Sequence, residues 1–491
     1  MSSDDIRHKF SVAMSAMYQD EVPLYGDLIG LVTEVNTEVL ASQPDIKAQL
    51  EHTGEIDRLS MERHGAIRLG TAAELSMMRR LFAVMGMYPV GYYDLAPAGV
   101  PVHSTAFRAI DAHSLHKSPF RVFTSLLRLD LIGNDTLKQE ALTALANRHI
   151  FTDKAIKLIE HFEAQGGLTA AEGKDFVVEA LETFRWHDKT PISKELYERL
   201  SNQHRLIADV VGFKGPHINH LTPRTLDIDA VQQGMQAKGI PPKAIIEGPP
   251  RRTCPILLRQ TSFKALKERV SFKREQVSSA INSSEINSFE QGQHTARFGE
   301  IEQRGVALTP KGRALYDKLL SDARHQLGAT PNEDNASEYY QILEKAFEAF
   351  PDDYRSLHAA ELAYFYYQAD SQSVGQNIDN LSVVDSKVTN LKTTNIQKAR
   401  LKTVASKPAI VALINQGAIR IEPIVYEDFL PVSAAGIFQS NLQQDKQSNY
   451  EGHSNKHEFE RALGAKVYDE LALYEDMQAQ SLDKCLISLE Y

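Results

Sequence analysis

The sequence predicts an α+β fold, and three observations carry that prediction. Strand, helix and strand follow one another between residues 62 and 95, a long helical stretch comes next, and glycine- and proline-rich strand text returns around 210 to 305. Strand, helix, strand is an α+β or α/β signature, and large blocks of helix surround it.

The elements follow in order. Leu28, Leu31, Val32, Val35 and Val39 recur at helical spacing, so the first fifty residues are amphipathic helices that serve as scaffold. Glu62 to Thr71, with Gly65 and Gly70 inside it, fits a short strand; Ala72 to Met85 reads as a helix and Val90 to Leu95 as a second strand. Residues from about 118 to 208 read as a helical insertion, with Phe123, Leu126, Leu127 and Leu131 on one face. Ala208-Asp-Val-Val-Gly-Phe and Pro255-Ile-Leu-Leu-Arg-Gln-Thr read as strands, because prolines at the density found from 216 to 255 punctuate strand ends. Thr309 is expected to cap a helix that has Pro310 in its first turn. Residues 371–400 have the polar composition of a surface excursion. The division expected is 1–330, a sheet core with N-terminal helices and the insertion, and 331–491, a C-terminal region that completes the substrate pocket.

Composition excludes several function classes. The chain has 491 residues, about three times a ~150-residue domain, long enough to bury a deep pocket. Hydrophobic residues at 42% and charged residues at 24% exclude wholesale disorder. A net charge of −10 argues against nucleic acid or an anionic membrane as partner and favours small substrates. Cys254 and Cys485 are too few for a disulfide framework or a four-thiolate zinc site, which points to a reducing compartment. With no signal-like run and no apolar stretch of ~20 residues, a cytoplasmic location is expected.

Three segments carry candidate chemistry: Arg63-His64-Gly-Ala-Ile-Arg68, Gly215-Pro-His217-Ile-Asn-His220, and Arg297-Phe-Gly-Glu300-Ile-Glu302. Two imidazoles and one carboxylate on one face of an octahedral Fe(II) leave three positions for a chelating substrate and dioxygen. Each residue also has an ordinary reading. His64 suits a hydrogen-bonded core histidine, Arg68 a surface ion pair, and Glu300 with Glu302 a solvated acidic edge. Arg68 shares a face with His64 in strand or helix alike. His217 and His220 lie on opposite faces of a strand, so one of the two is a ligand; alternation puts Glu300 and Glu302 on the same face and does not choose between them. Cys254 reads as a small core residue, and phosphate-cradling or dinucleotide glycine motifs are absent.

Taken with Val90-Gly-Tyr-Tyr-Asp-Leu, Val100-Pro-Val-His-Ser-Thr-Ala-Phe-Arg108, His220-Leu-Thr-Pro-Arg224 and Tyr426-Glu-Asp-Phe-Leu-Pro-Val-Ser-Ala-Ala-Gly-Ile-Phe438, these strings resemble the 2-oxoadipate dioxygenase/decarboxylase (hydroxyglutarate synthase) family across nearly the whole chain. The resemblance implies a vicinal-oxygen-chelate-like metal-binding sheet with helical additions. It places the metal ligands on His64, His220 and Glu300, the substrate-binding arginine on Arg68, and a pocket-lining pair on Val432 and Ser433. The implied reaction is Fe(II)-dependent conversion of 2-oxoadipate and O2 to (R)-2-hydroxyglutarate and CO2 in lysine catabolism. Two other readings stand beside it: an oxygenase of the same fold acting on another 2-oxo acid, and a non-catalytic metal-binding protein.

Overall fold

The computed structural model describes residues 1–274, 289–295, 297–370, 407–430 and 453–489. Its strands, in chain order, are β1 (Arg63–Leu69), β2 (Tyr88–Asp94), β3 (Val102–Arg108), β4 (Phe120–Leu127), β5 (Lys189–Thr190), β6 (Leu221–Pro223), β7 (Leu258–Ser262), β8 (Glu268–Lys273), β9 (Phe289–His294), β10 (Glu300–Arg304), β11 (Phe365–Ala369) and β12 (Ile419–Pro423). The central sheet has the order β2-β3-β4-β1-β6, with β1 and β4 parallel and the other neighbours antiparallel. A bridge between Arg224 and Glu302 sets β10 beside β6, and β10 pairs antiparallel with β7.

Alternation along these strands separates two faces. On one, Ile67, Leu69, Phe107, Phe120, Val122 and Leu126 pack into a core shared with the N-terminal helices. Helix Ser3–Glu21 supplies Ile6, Phe10, Met14 and Tyr18, and its Ser2 N-cap accepts from the Asp5 amide. The other face mixes an apolar patch of Ala66, Val102, Ala106, Phe123 and Leu127 with buried His64, Arg68 and Arg121. That second face carries the site. The molecule is thus α+β, with a sheet-borne site wrapped in helices.

Most expected elements form where the pattern places them. The 62–71 strand is β1, and Leu28, Leu31, Val32, Val35 and Val39 are buried in helix Pro23–Ser42. Helix Ala72–Val84 opens with a reciprocal capping box between Thr71 and Glu74. Thr309 caps helix Pro310–Leu327.

Two assignments are corrected. Phe123, Leu126 and Leu127 belong to β4, not to the insertion, whose helices run from Asp135–Ala146 to Lys194–Gln203. β4 lies between β3 and β1 and is buried on both faces, and an apolar run of that kind lacks the two-residue period that marks a strand. Conversely, Arg205–Gly212 is a helix, although Val210-Val211-Gly212 reads as strand. His204 Nδ1 accepts from the Leu206 amide at its start, and burial from Leu206 to Gly212 outweighs the weak helix propensity of β-branched residues. Residues 371–400 lie outside the described residues.

Candidate metal centre

β1 brings His64 and Arg68 to the site face, and its pairing with β6 sets His64 opposite Thr222. His220, two residues before Thr222, therefore shares that face. The imidazoles of His64 and His220 meet edge to face with centroids 5.4 Å apart. Close approach of the two segments depends on Gly65, because a Cβ there would stand 2.5 Å from Ile218 Cδ1 and 3.3 Å from the His220 carbonyl.

The third residue arrives from β10. Glu300 Oε1 lies 3.0 Å from His64 Nε2 and 3.9 Å from His220 Nδ1, and it accepts from Thr222 Oγ1 at 3.1 Å and Gln260 Nε2 at 2.8 Å. Tyr18 ties the arrangement to the scaffold, its hydroxyl lying 3.0 and 2.8 Å from the carbonyls of Asn219 and Phe298. Those residues neighbour His220 and Glu300.

One donor atom from each of His64, His220 and Glu300 lies within 4.8 Å of the others, and all three side chains are buried. Among the described residues, three atoms of this cluster make no hydrogen bond: His64 Nδ1, which stands 2.9 Å from Glu302 Oε2, and His220 Nε2 and Glu300 Oε2. Leaving the last two buried and unpaired costs about 1–3 kcal/mol each. A divalent cation ligated by two imidazoles and a carboxylate satisfies both, so the donor set fits a metal.

The electrostatics are graded. Burial pulls His220 down to about 4 against the attraction of Glu300, with His64 and Arg68 adding to the depression; it stays a neutral, ligand-ready imidazole at neutral pH. His64 also suffers burial, but Glu302 and Glu300 outweigh it and raise its pKa. Glu302 is no solvated edge. Its Oε2 lies 2.9 Å from His64 Nδ1, and Arg304 pairs with both of its oxygens at 2.8 and 2.9 Å. Burial opposes charge on Glu302, yet Arg304 and His64 hold it at about 2. Beyond Arg304, the buried pairs of Arg58, Arg121 and Arg224 with Glu62 and Glu427 extend the network. Alternation is the signal that links Glu302 to the site; Thr222, Gln260 and the Phe429 ring, 4.9 Å from His64 in centroid distance, have none in the sequence.

Arg68 is buried on the same face and paired, though not at the surface. Its Nη1 donates to Asp209 Oδ2 at 2.6 Å. His217 joins neither the Glu300 cluster nor solvent, and sits with Asp209 and His294 in a second buried group. Val432 and Ser433 lie outside the described residues. Cys254 is buried in an apolar cluster, and no helix among the described residues is long and apolar enough to cross a membrane.

The family model for 2-oxoadipate dioxygenase/decarboxylase matches residues 10–441. A Pseudomonas putida protein of that name is 56% identical, the alignment covering 100% of this chain and 98% of the relative. An Escherichia coli protein of that name is 50% identical, with 99% and 98% covered. The crystal structure of hydroxyglutarate synthase from Pseudomonas putida in complex with 2-oxoadipate superposes with a TM-score of 0.85 at 53% identity, covering 100% of this chain and 99% of the other.

Proposed function

The chain belongs to the 2-oxoadipate dioxygenase/decarboxylase family, and on that premise we propose that it is an oxidoreductase that converts 2-oxoadipate and O2 into 2-hydroxyglutarate and CO2. The observation that carries the reading is the buried His64, His220 and Glu300 cluster with its unpaired His220 Nε2 and Glu300 Oε2. Fe(II) held by these three residues would supply the site where the 2-oxo acid and dioxygen meet. The atoms balance without a second substrate. C1 leaves as CO2, one oxygen atom enters the new carboxylate at the former keto carbon, and the other becomes the hydroxyl on the adjacent carbon.

The chain's own residues orient that exchange. Glu302 holds His64 by its outer nitrogen, which fixes the ring and leaves Nε2 for the metal. Arg68, on the face of β1 that bears His64, binds a substrate carboxylate through its planar fork. The C-terminal region, residues 331–491, completes the pocket. Phe429 against His64, and Asp428 held by Arg108 at 2.6 and 2.9 Å, support that reading. Buried, free Cys254 and Cys485 suit a reducing cytoplasm.

The test is oxygen consumption by iron-loaded protein across 2-oxo acids of varied chain length, with the product resolved on a chiral column. We expect 2-oxoadipate to be preferred and (R)-2-hydroxyglutarate to form. Preference for another acid selects the same-fold oxygenase, and no uptake with any acid selects a non-catalytic metal protein. The assignment to lysine catabolism predicts that cells lacking the enzyme accumulate 2-oxoadipate when fed lysine.

A further inference from the structure

The second buried group is a scaffold with a direction. Asp209 sits in helix Arg205–Gly212 and presents Oδ2 to Arg68 Nη1 at 2.6 Å. Its Oδ1 faces two imidazoles, His294 Nε2 at 2.9 Å and His217 Nε2 at 3.3 Å. The Tyr197 hydroxyl lies 2.6 Å from His294 Nδ1. With that hydroxyl as donor, Nε2 carries the ring proton and gives it to Asp209. Asn219 Nδ2 lies 3.2 Å from His217 Nε2 and, as donor, makes that nitrogen an acceptor, so of the two imidazoles His294 is the one that hydrogen-bonds Asp209 Oδ1. Aromatic walls hold both rings: Trp186 stands edge-on to His217 with centroids 4.7 Å apart, and Phe213 lies 4.5 Å from His294.

These partners come from helix Lys194–Gln203, the loop before β6, and β9, so separate segments converge to fix one carboxylate. Two explanations compete. A metal at Asp209, His217 and His294 would compete with the Arg68 guanidinium, which donates to Asp209 Oδ2 at 2.6 Å and whose charge repels a dication. A purely structural ion pair would not need the second carboxylate oxygen held by an aromatic-walled histidine. A guanidinium is a rigid planar fork, so fixing Nη1 fixes the direction in which the whole fork faces.

We propose that Asp209, braced by His294, is the positioning residue that aims Arg68 at the substrate carboxylate and thereby sets the chain-length preference for the 2-oxo acid. The proposal rests on the reading of Arg68 as the substrate-binding arginine. It also gives the insertion a purpose, since its last helix, Lys194–Gln203, supplies the Tyr197 hydroxyl that lies against His294.

The experiment compares iron-loaded parent, Asp209→Asn, Arg68→Lys and the double variant. Anaerobic binding of 2-oxoadipate is measured by calorimetry, and kcat and KM are measured for 2-oxoglutarate, 2-oxoadipate and 2-oxopimelate. Asp209→Asn keeps the positive charge of Arg68, so 2-oxoadipate should bind within about threefold of the parent. Its preference over the two neighbours should fall roughly tenfold or more through kcat, with oxygen consumed in excess of 2-hydroxyglutarate formed. In the Arg68→Lys background the same substitution should change the preference no further, because it acts through the fork. His294→Gln, which keeps the Asp209 charge but loosens it, should shift preference in the same direction and serves if Asp209→Asn does not fold. A lowered melting temperature with unchanged preference and coupling would reduce Asp209 to a structural ion pair and overturn the proposal. Unchanged preference in Arg68→Lys itself would instead overturn the reading of Arg68, and the proposal with it.

Discussion

His64 is held from both sides, by Glu300 at Nε2 and Glu302 at Nδ1, and at this scale each residue makes a separable prediction. His64→Ala, His220→Ala and Glu300→Ala should each abolish stoichiometric iron binding while circular dichroism remains native; full iron in any one removes that residue from the set. Glu302→Gln should keep the three ligands yet weaken iron affinity by about ten- to a hundredfold, the usual effect of losing a carboxylate behind a ligating histidine. A chelator-competition titration reads this, and an unchanged affinity would make Glu302 a structural partner of Arg304 alone. Arg68→Lys should retain iron but lose roughly ten- to a hundredfold in kcat/KM, since a point charge cannot hold two oxygens in a plane. With ascorbate supplying electrons for the second oxygen atom, glutarate should then appear beside 2-hydroxyglutarate.

Strand spacing decides whether those residues meet. β10 ends at Arg304, and the Gly305 that follows is pressed against the chain before β7. A Cβ there would stand 2.1 Å from the Pro255 carbonyl carbon and 2.3 Å from the Ile256 nitrogen. Backbone cannot yield as a flexible side chain can. Gly305→Ala should therefore cost about 3 kcal/mol or more and loosen the β10 segment that carries Glu300 and Glu302. Thermal melting should fall together with iron affinity. A variant that melts lower but binds iron as tightly as the parent would show that β10 is held by its pairing with β7 and by Tyr18, independently of Gly305.

Acid stability is a property of the whole molecule, because groups far apart pull in opposite directions. Burial holds His103 down at about 4, so the unfolded chain takes up that proton first. Its contribution, about 3 kcal/mol, is present above pH 6.5 and lost as pH falls toward 4. Glu470 has the opposite sign. Burial and Asp428 raise it to about 7, so its contribution is present below pH 4.5 and lost as pH rises toward 7. Relative to the metal-free parent, His103→Gln should gain stability as pH falls from 6.5 to 4, and Glu470→Gln should gain as pH rises from 4.5 to 7. Denaturant midpoints across pH 4–7 measure both. Below pH 4.5 the losses at Glu302 and Glu427, each held at about 2 in the folded protein, should steepen acid unfolding in every variant.

The sequence by itself determined what local patterns encode: the amphipathic N-terminal helices, β1 with His64 and Arg68 on one face, the Thr309 cap, and the motif strings whose resemblance names the family. Periodicity reports one buried face, so it points the wrong way for elements buried on every side: β4 reads as helix, and Ala208 to Phe213 reads as strand although helix Arg205–Gly212 covers most of it. Spacing along the chain also left Glu300 and Glu302 equivalent. The resemblance separated them as expectation, and only the tertiary structure gives them different neighbours, Glu300 beside both imidazoles and Glu302 between His64 and Arg304. Asp209 and His294 carried no local signal, because what couples them to Arg68 is contact among segments far apart in the chain. Charge placement in a buried site depends on distances of about 3 Å between such segments, and those distances exist only once the sheet and its insertion have packed together.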